Sequence, residues 1–128
     1  MWPVIGAELA ARVGAPGEVT TVTWVPTPRV RAHRRGGDHA AHLARDVAQR
    51  LGRDCVRQLD VAVSSEGERY VPAVGCRHVD GATILLVDDV LTSGRTAARA
   101  ALVLRASGVR DVWLAVAARA GSHALLAA

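Results

Sequence analysis

Apolar and polar positions along this chain fall into blocks of different period. Over residues 19–26, Val22 and Trp24 run out of phase with Thr21 and Thr23, the period-two signature of a core strand. Over residues 38–51 the period changes. Ala40, Ala44, Val47 and Leu51 form a stripe, with His42, Arg45, Asp46 and Gln49 opposite, so a helix is predicted, capped by Asp38 and ended at Gly52. Residues 55–63 read as a second strand through Val56, Val61 and Val63. Residues 62–81 are polar and glycine-bearing, without helical period. They predict a long loop whose mobile tip is residues 65–70, with a short edge strand over 70–74. Residues 83–87 are an unbroken run of Thr, Ile, Leu and Val, the mark of a strand buried on both faces of a parallel sheet. Helical spacing returns over 95–107. There Ala97, Ala101 and Leu104 share a face, Ala98 and Leu102 lie beside it, and Gly108 is positioned as the C-cap. Residues 111–118 alternate Val112, Leu114 and Val116 in a last strand that carries Trp113. A short helix is predicted over 3–13, stopped by Gly14 and Pro16, and the tail to residue 128 is expected to fray.

Strands alternating with helices predict an α/β fold: a parallel sheet of four to five strands, joined by right-handed crossovers and flanked by helices. With 128 residues there is room for one domain, spanning 1–128, with a real core. No window approaches the length of a transmembrane helix, and the N-terminus lacks the pattern of a signal peptide. No membrane role is expected, and the cytoplasm is the default compartment. Cys55 and Cys76 are far apart and read as small buried hydrophobes. His39 and His42 stand three residues apart on the predicted helix. That spacing suits a metal, but no third ligand follows, and the pair reads as surface residues.

The net charge is +4, and every basic residue is arginine. Such a balance favours anionic partners, but a chain biased toward Ala, Arg, Gly and Val also shows it, so only clustered arginines carry weight. One cluster exists. Arg29, Arg31, Arg34 and Arg35 follow the first strand and close on Gly36-Gly37, at the sheet edge where α/β proteins bind ligands. A nucleic-acid partner is not expected, because no recognition motif or aromatic stacking platform accompanies the charge.

The most informative stretch is Val87-Asp88-Asp89-Val90-Leu91-Thr92-Ser93-Gly94-Arg95-Thr96. A buried strand ends in two carboxylates, a small hydroxylic turn follows, and a helix begins. The first N–H groups of a helix lack intrahelical partners and carry partial positive charge, which suits a phosphate. Gly94 lets the backbone approach it closely. Asp88 and Asp89 suit neutral hydroxyls better, such as those of a ribose. An anion pocket beside a diol clamp describes a ribose 5-phosphate site.

This stretch resembles the phosphoribosyl pyrophosphate (PRPP) loop of type I phosphoribosyltransferases, and most nearly that of the ComF group. The resemblance covers roughly residues 1–120. It implies the type I phosphoribosyltransferase-like fold with a reduced hood. It implies Mg²⁺ as cofactor, held mainly through substrate, and PRPP and a small nitrogenous acceptor as partners. Asp88 and Asp89 would be catalytic, and Val90, Leu91, Thr92, Ser93, Gly94, Arg95 and Thr96 would bind substrate. ComF-like proteins read Arg-Gly-Phe-Asn-Gln in the pyrophosphate region; here Arg35-Gly36 is followed by Gly37-Asp38-His39. Arg34, Arg35 and Gly36 would meet the pyrophosphate. Arg69 and Tyr70 would belong to a flexible loop that closes over the sugar. Purine enzymes with a hypoxanthine-type acceptor carry an acid where this chain has Thr92, which argues against that acceptor. The alternative reading is a non-catalytic PRPP- or nucleotide-binding module of ComF type, linked to DNA uptake or regulation. The oligomeric state is left open, a homodimer being one option.

Overall fold

The computed structural model describes residues 19–27, 39–73, 80–90, 95–119 and 122–127. The predicted helix over 3–13, the Asp38 cap and the arginine cluster at 29–35 lie outside these.

Seven strands and two helices are described: β1 (Thr21–Trp24), α1 (His39–Leu51), β2 (Asp54–Cys55), β3 (Leu59–Ser64), β4 (Gly67–Pro72), β5 (Thr83–Val90), α2 (Arg95–Ala106), β6 (Asp111–Arg119) and β7 (Ser122–Ala127). Five strands form the main sheet in the order β2-β1-β5-β6-β7. The first four are mutually parallel, giving the expected α/β architecture with helices on the sheet.

The unbroken apolar run of β5 has its predicted meaning, since Ile84, Leu85, Leu86 and Val87 are all fully buried. Successive strand residues point to opposite faces. Leu85 and Val87 pack with Val22, Trp24 and Ala115 against α1. Ile84 and Leu86 pack with Val112, Leu114 and Val116 against α2. The strand therefore needs a helix on each side. The buried stripe of α1 is wider than its four predicted positions, adding Ala41, Leu43 and Ala48. On α2, Ala100 joins Ala97, Ala101 and Leu104, while Leu102 faces solvent. Gly108 ends α2 as predicted, with φ of 103° and its N–H donating to the Arg105 carbonyl at 3.0 Å.

Three expectations need correction. The predicted second strand is split. Only Asp54–Cys55 pairs with β1, and after the Val56 N–H donates to the Val22 carbonyl the chain leaves the main sheet. Leu59–Ser64 then pairs antiparallel with Gly67–Pro72, so the expected loop is mostly a hairpin. Leu59, Val61 and Val63 alternate with Asp60, Ala62 and Ser64, and a two-residue turn, Ser65-Glu66, joins the strands. Gly67 takes the positive φ of 113° and the Glu66 N–H donates to the Ser64 hydroxyl. Finally, the tail does not fray along its length. Ser122–Ala127 returns antiparallel along β6, Leu126 opposite Leu114 and Ala124 opposite Val116, with a register irregularity between Val116 and Arg119.

Neither described helix is long and apolar enough to cross a membrane.

Candidate functional site

The site is built at the carboxyl end of β5, the central strand. Leu86 and Val87 carry the strand through the core, and Asp88 and Asp89 follow before it ends at Val90. Both acids are buried, at 7% and 5% exposure. Burial of two adjacent carboxylates is expensive unless polar groups receive them. Asp88 Oδ1 accepts the Asp89 backbone N–H at 2.9 Å. Asp89 Oδ2 lies 4.0 Å from Nδ1 of His39, the first residue of α1.

The strand alternation explains this division. Asp89 shares the face of Leu85 and Val87, under α1, and Asp88 the face of Ile84 and Leu86, under α2. The two acids are thus neighbours in sequence but belong to opposite faces. Four residues, 91–94, separate the end of β5 from the start of α2 at Arg95. Leu91, Thr92, Ser93 and Gly94 lie outside the described residues, as do Arg34, Arg35 and Gly36. Of the remaining expected substrate contacts, Thr96 is exposed in the first turn of α2.

Arg69 and Tyr70 are not on a loop. Both sit in β4, paired with Ala62 and Val61. Arg69 is exposed, while Tyr70 packs on the α2 side of the core. His39 was the residue missed. Its spacing from the exposed His42 suggested a surface pair, whereas its ring reaches the acid at the strand end. Strand parity held the signal, because Asp89 shares a face with the residues that meet α1.

Among the described residues no group of three or more His, Cys, Asp and Glu side chains is placed to hold a metal ion. The carboxylates are hard oxygen donors of the kind Mg²⁺ accepts, but each face offers one of them. That arrangement suits a cation that keeps most of its oxygens from substrate and water.

Cys55 stands apart from this site, on the edge strand β2. Burial pushes its thiol from an ordinary 9.0 up to about 11, and the nearby Arg45 guanidinium, which lowers it, does not offset that. Arg45 lies over the Trp24 ring, 5.7 Å from its centroid. Because the thiolate is the nucleophile, alkylation of Cys55 in a Cys76→Ser background at pH 8 is expected to run about a hundredfold slower than that of an unperturbed thiol. Alkylation at the free-thiol rate would contradict the burial of this side chain.

The sequence pattern of the phosphoribosyl transferase domain family matches residues 38–126, well over half of the chain. The chain belongs to that family. Solved structures agree with the fold of this phosphoribosyltransferase domain. A glutamine PRPP amidotransferase from B. subtilis, complexed with ADP and GMP, superposes with a TM-score of 0.70 at 20% identity, over 91% of this chain and 26% of its own. A hypoxanthine phosphoribosyltransferase from Staphylococcus aureus gives 0.62 at 17% identity, over 90% of this chain and 61% of its own. A phosphoribosylpyrophosphate synthetase from Mycobacterium smegmatis gives 0.58 at 22% identity, over 85% of this chain and 31% of its own. The phosphoribosyltransferase domain described here therefore spans between about a quarter and three-fifths of those chains. No curated protein matches the sequence significantly.

Proposed function

We propose that this domain binds Mg-PRPP and transfers its phosphoribosyl group to a nitrogenous acceptor. The bond from ribose C1 to pyrophosphate breaks, a C1–N bond forms, pyrophosphate leaves, and the acceptor gives up a proton. The observation that carries this reading is the paired acid at the buried end of the central strand, followed in sequence by Thr92-Ser93-Gly94 and then by helix α2.

The transition state of such a transfer resembles an oxocarbenium ion, so the protein mainly positions groups and stabilises charge. Backbone amides from Thr92 to Thr96 hold the 5-phosphate. Asp88 and Asp89 accept from the ribose hydroxyls. Arg34 and Arg35, beside Gly36, offset the charge of the departing pyrophosphate. Arg69 approaches from the exposed outer part of the β3–β4 hairpin, and Tyr70 beside it anchors that hairpin on the core. Bound Mg²⁺ would supply charge neutralisation on pyrophosphate and ribose oxygens. Thr92 in place of an acid argues against a hypoxanthine-type acceptor.

The test is pyrophosphate release from Mg-PRPP across a panel of nitrogenous bases and amines. Acceptor-dependent release is expected; none with any acceptor would defeat the transferase reading. Gly37-Asp38-His39, where ComF-like proteins read Phe-Asn-Gln after Arg-Gly, favours a second reading, a non-catalytic PRPP- or nucleotide-binding module of ComF type linked to DNA uptake or regulation. PRPP binding without pyrophosphate release would select it.

Gly94→Val is expected to abolish binding of inorganic phosphate while leaving the circular dichroism spectrum unchanged, because a branched side chain there blocks close approach of the backbone. Wild-type phosphate affinity in that variant would remove the turn from the site.

A further inference from the structure

The acid pair is asymmetric. The Asp88 carboxylate turns back to the Asp89 N–H at 2.9 Å. The Asp89 carboxylate lies toward α1, with His39 Nδ1 4.0 Å from its Oδ2. That separation is too long for a direct hydrogen bond but short enough to be bridged. One hydroxyl oxygen about 2.8 Å from each atom can accept from an imidazole N–H and donate to the carboxylate. Water fills such a bridge, and so does a sugar hydroxyl. Exposure favours an entering ligand, since the His39 side chain is 30% exposed and that of Asp89 7%. A group arriving at this face meets the ring and reaches the acid beside it. The placement is built by the fold. Strand parity puts Asp89 on the face covered by α1, and α1 begins at His39.

We infer that His39 and Asp89 together bind one hydroxyl of a ribose 5-phosphate, the imidazole donating to the oxygen that donates to the carboxylate. This inference rests on the ribose 5-phosphate reading of the site and adds a sugar contact from α1.

The test measures the affinities of ribose 5-phosphate and inorganic phosphate by calorimetry for the full chain, H39A and H39Q, with folding checked by circular dichroism. Wild type is expected to prefer ribose 5-phosphate. H39A is expected to lose about tenfold for ribose 5-phosphate, the scale of one hydrogen bond, and nothing for phosphate. H39Q, which restores an N–H donor, is expected to come back within about threefold of wild type. If wild type prefers ribose 5-phosphate and H39A binds it equally well, the inference falls alone. If H39A loses both ligands equally, His39 is only structural and the inference also falls. The same holds if H39Q recovers nothing while still binding phosphate. If wild type itself shows no preference for ribose 5-phosphate, the reading of the site falls and takes the inference with it.

Discussion

Mg-PRPP is expected to raise the melting temperature of this protein by on the order of 5–10 °C, and the double substitution Asp88→Asn with Asp89→Asn to remove most of that rise. A ligand that binds only the folded state stabilises it by RT ln(1 + [L]/Kd), about 2.7 kcal/mol at a hundredfold excess over Kd. For a domain near this size that energy corresponds to the stated shift. The aspartates matter because a carboxylate accepts from a ribose hydroxyl with full charge, whereas an amide is neutral and presents donors as well. Inorganic phosphate should still stabilise the double variant, since the site proposed for it is the backbone ahead of α2. The comparison is made with PRPP and with phosphate, both with Mg²⁺, for both proteins. A wild type that PRPP does not stabilise would defeat the substrate assignment. An equal shift in the variant would defeat the role of the acids.

Leu85→Ala and Leu86→Ala are each expected to cost about 2–5 kcal/mol, the range for emptying a fully packed leucine site. At this chain length that is a fall in melting temperature on the order of 10 °C or more. The informative feature is that the two costs should be similar. On a half-exposed sheet, neighbouring strand residues differ sharply, because one faces water. Here both are fully buried, Leu85 against α1 and Leu86 against α2. Urea unfolding of both variants measures the difference. A cost below about 1 kcal/mol at either position would mean that its face of β5 is not covered.

The elements most visible in the sequence were those whose period is long or unambiguous. The β5 run needed only its branched apolar content, and α1 its stripe of Ala40, Ala44 and Val47. Gly108 marked the end of α2 because a positive φ suits glycine there. The hairpin was hidden by its own composition. Val63 is exposed at 69%, so the outer half of β3 shows no contrast between an inside and an outside. Glu66, Glu68 and Arg69 look like loop residues because the turn and the outer part of β4 are solvated. Strand β7 carries an apolar run, Ala124 to Ala127, but its pairing depends on β6, which no local pattern encodes. At the site, the order acid, acid, turn, helix was legible. The split of the acids across two faces follows from parity alone, yet the approach of His39 required knowing which helix covers which face.

The strand order has a consequence for how the chain reaches this state during synthesis. Strand β1 finishes at Trp24, but the neighbour with which it shares its longest pairing, β5, begins at Thr83. Among the described pairings, until that later segment leaves the ribosome β1 has only the two residues of β2 to pair with, and the apolar stripe of α1 lacks the β5 part of the sheet it covers. Pairings between segments so distant must meet a loop-closure cost before they return any stabilisation. The first half of the polypeptide is thus an unfinished surface with Val22, Trp24, Leu43 and Val47 uncovered, the kind of species that chaperones hold. Emergence of β5 gives β1 its partner and α1 a sheet to cover, while the opposite layer still waits for α2 and β6, so the acid pair at the end of β5 is made before the helix that follows it.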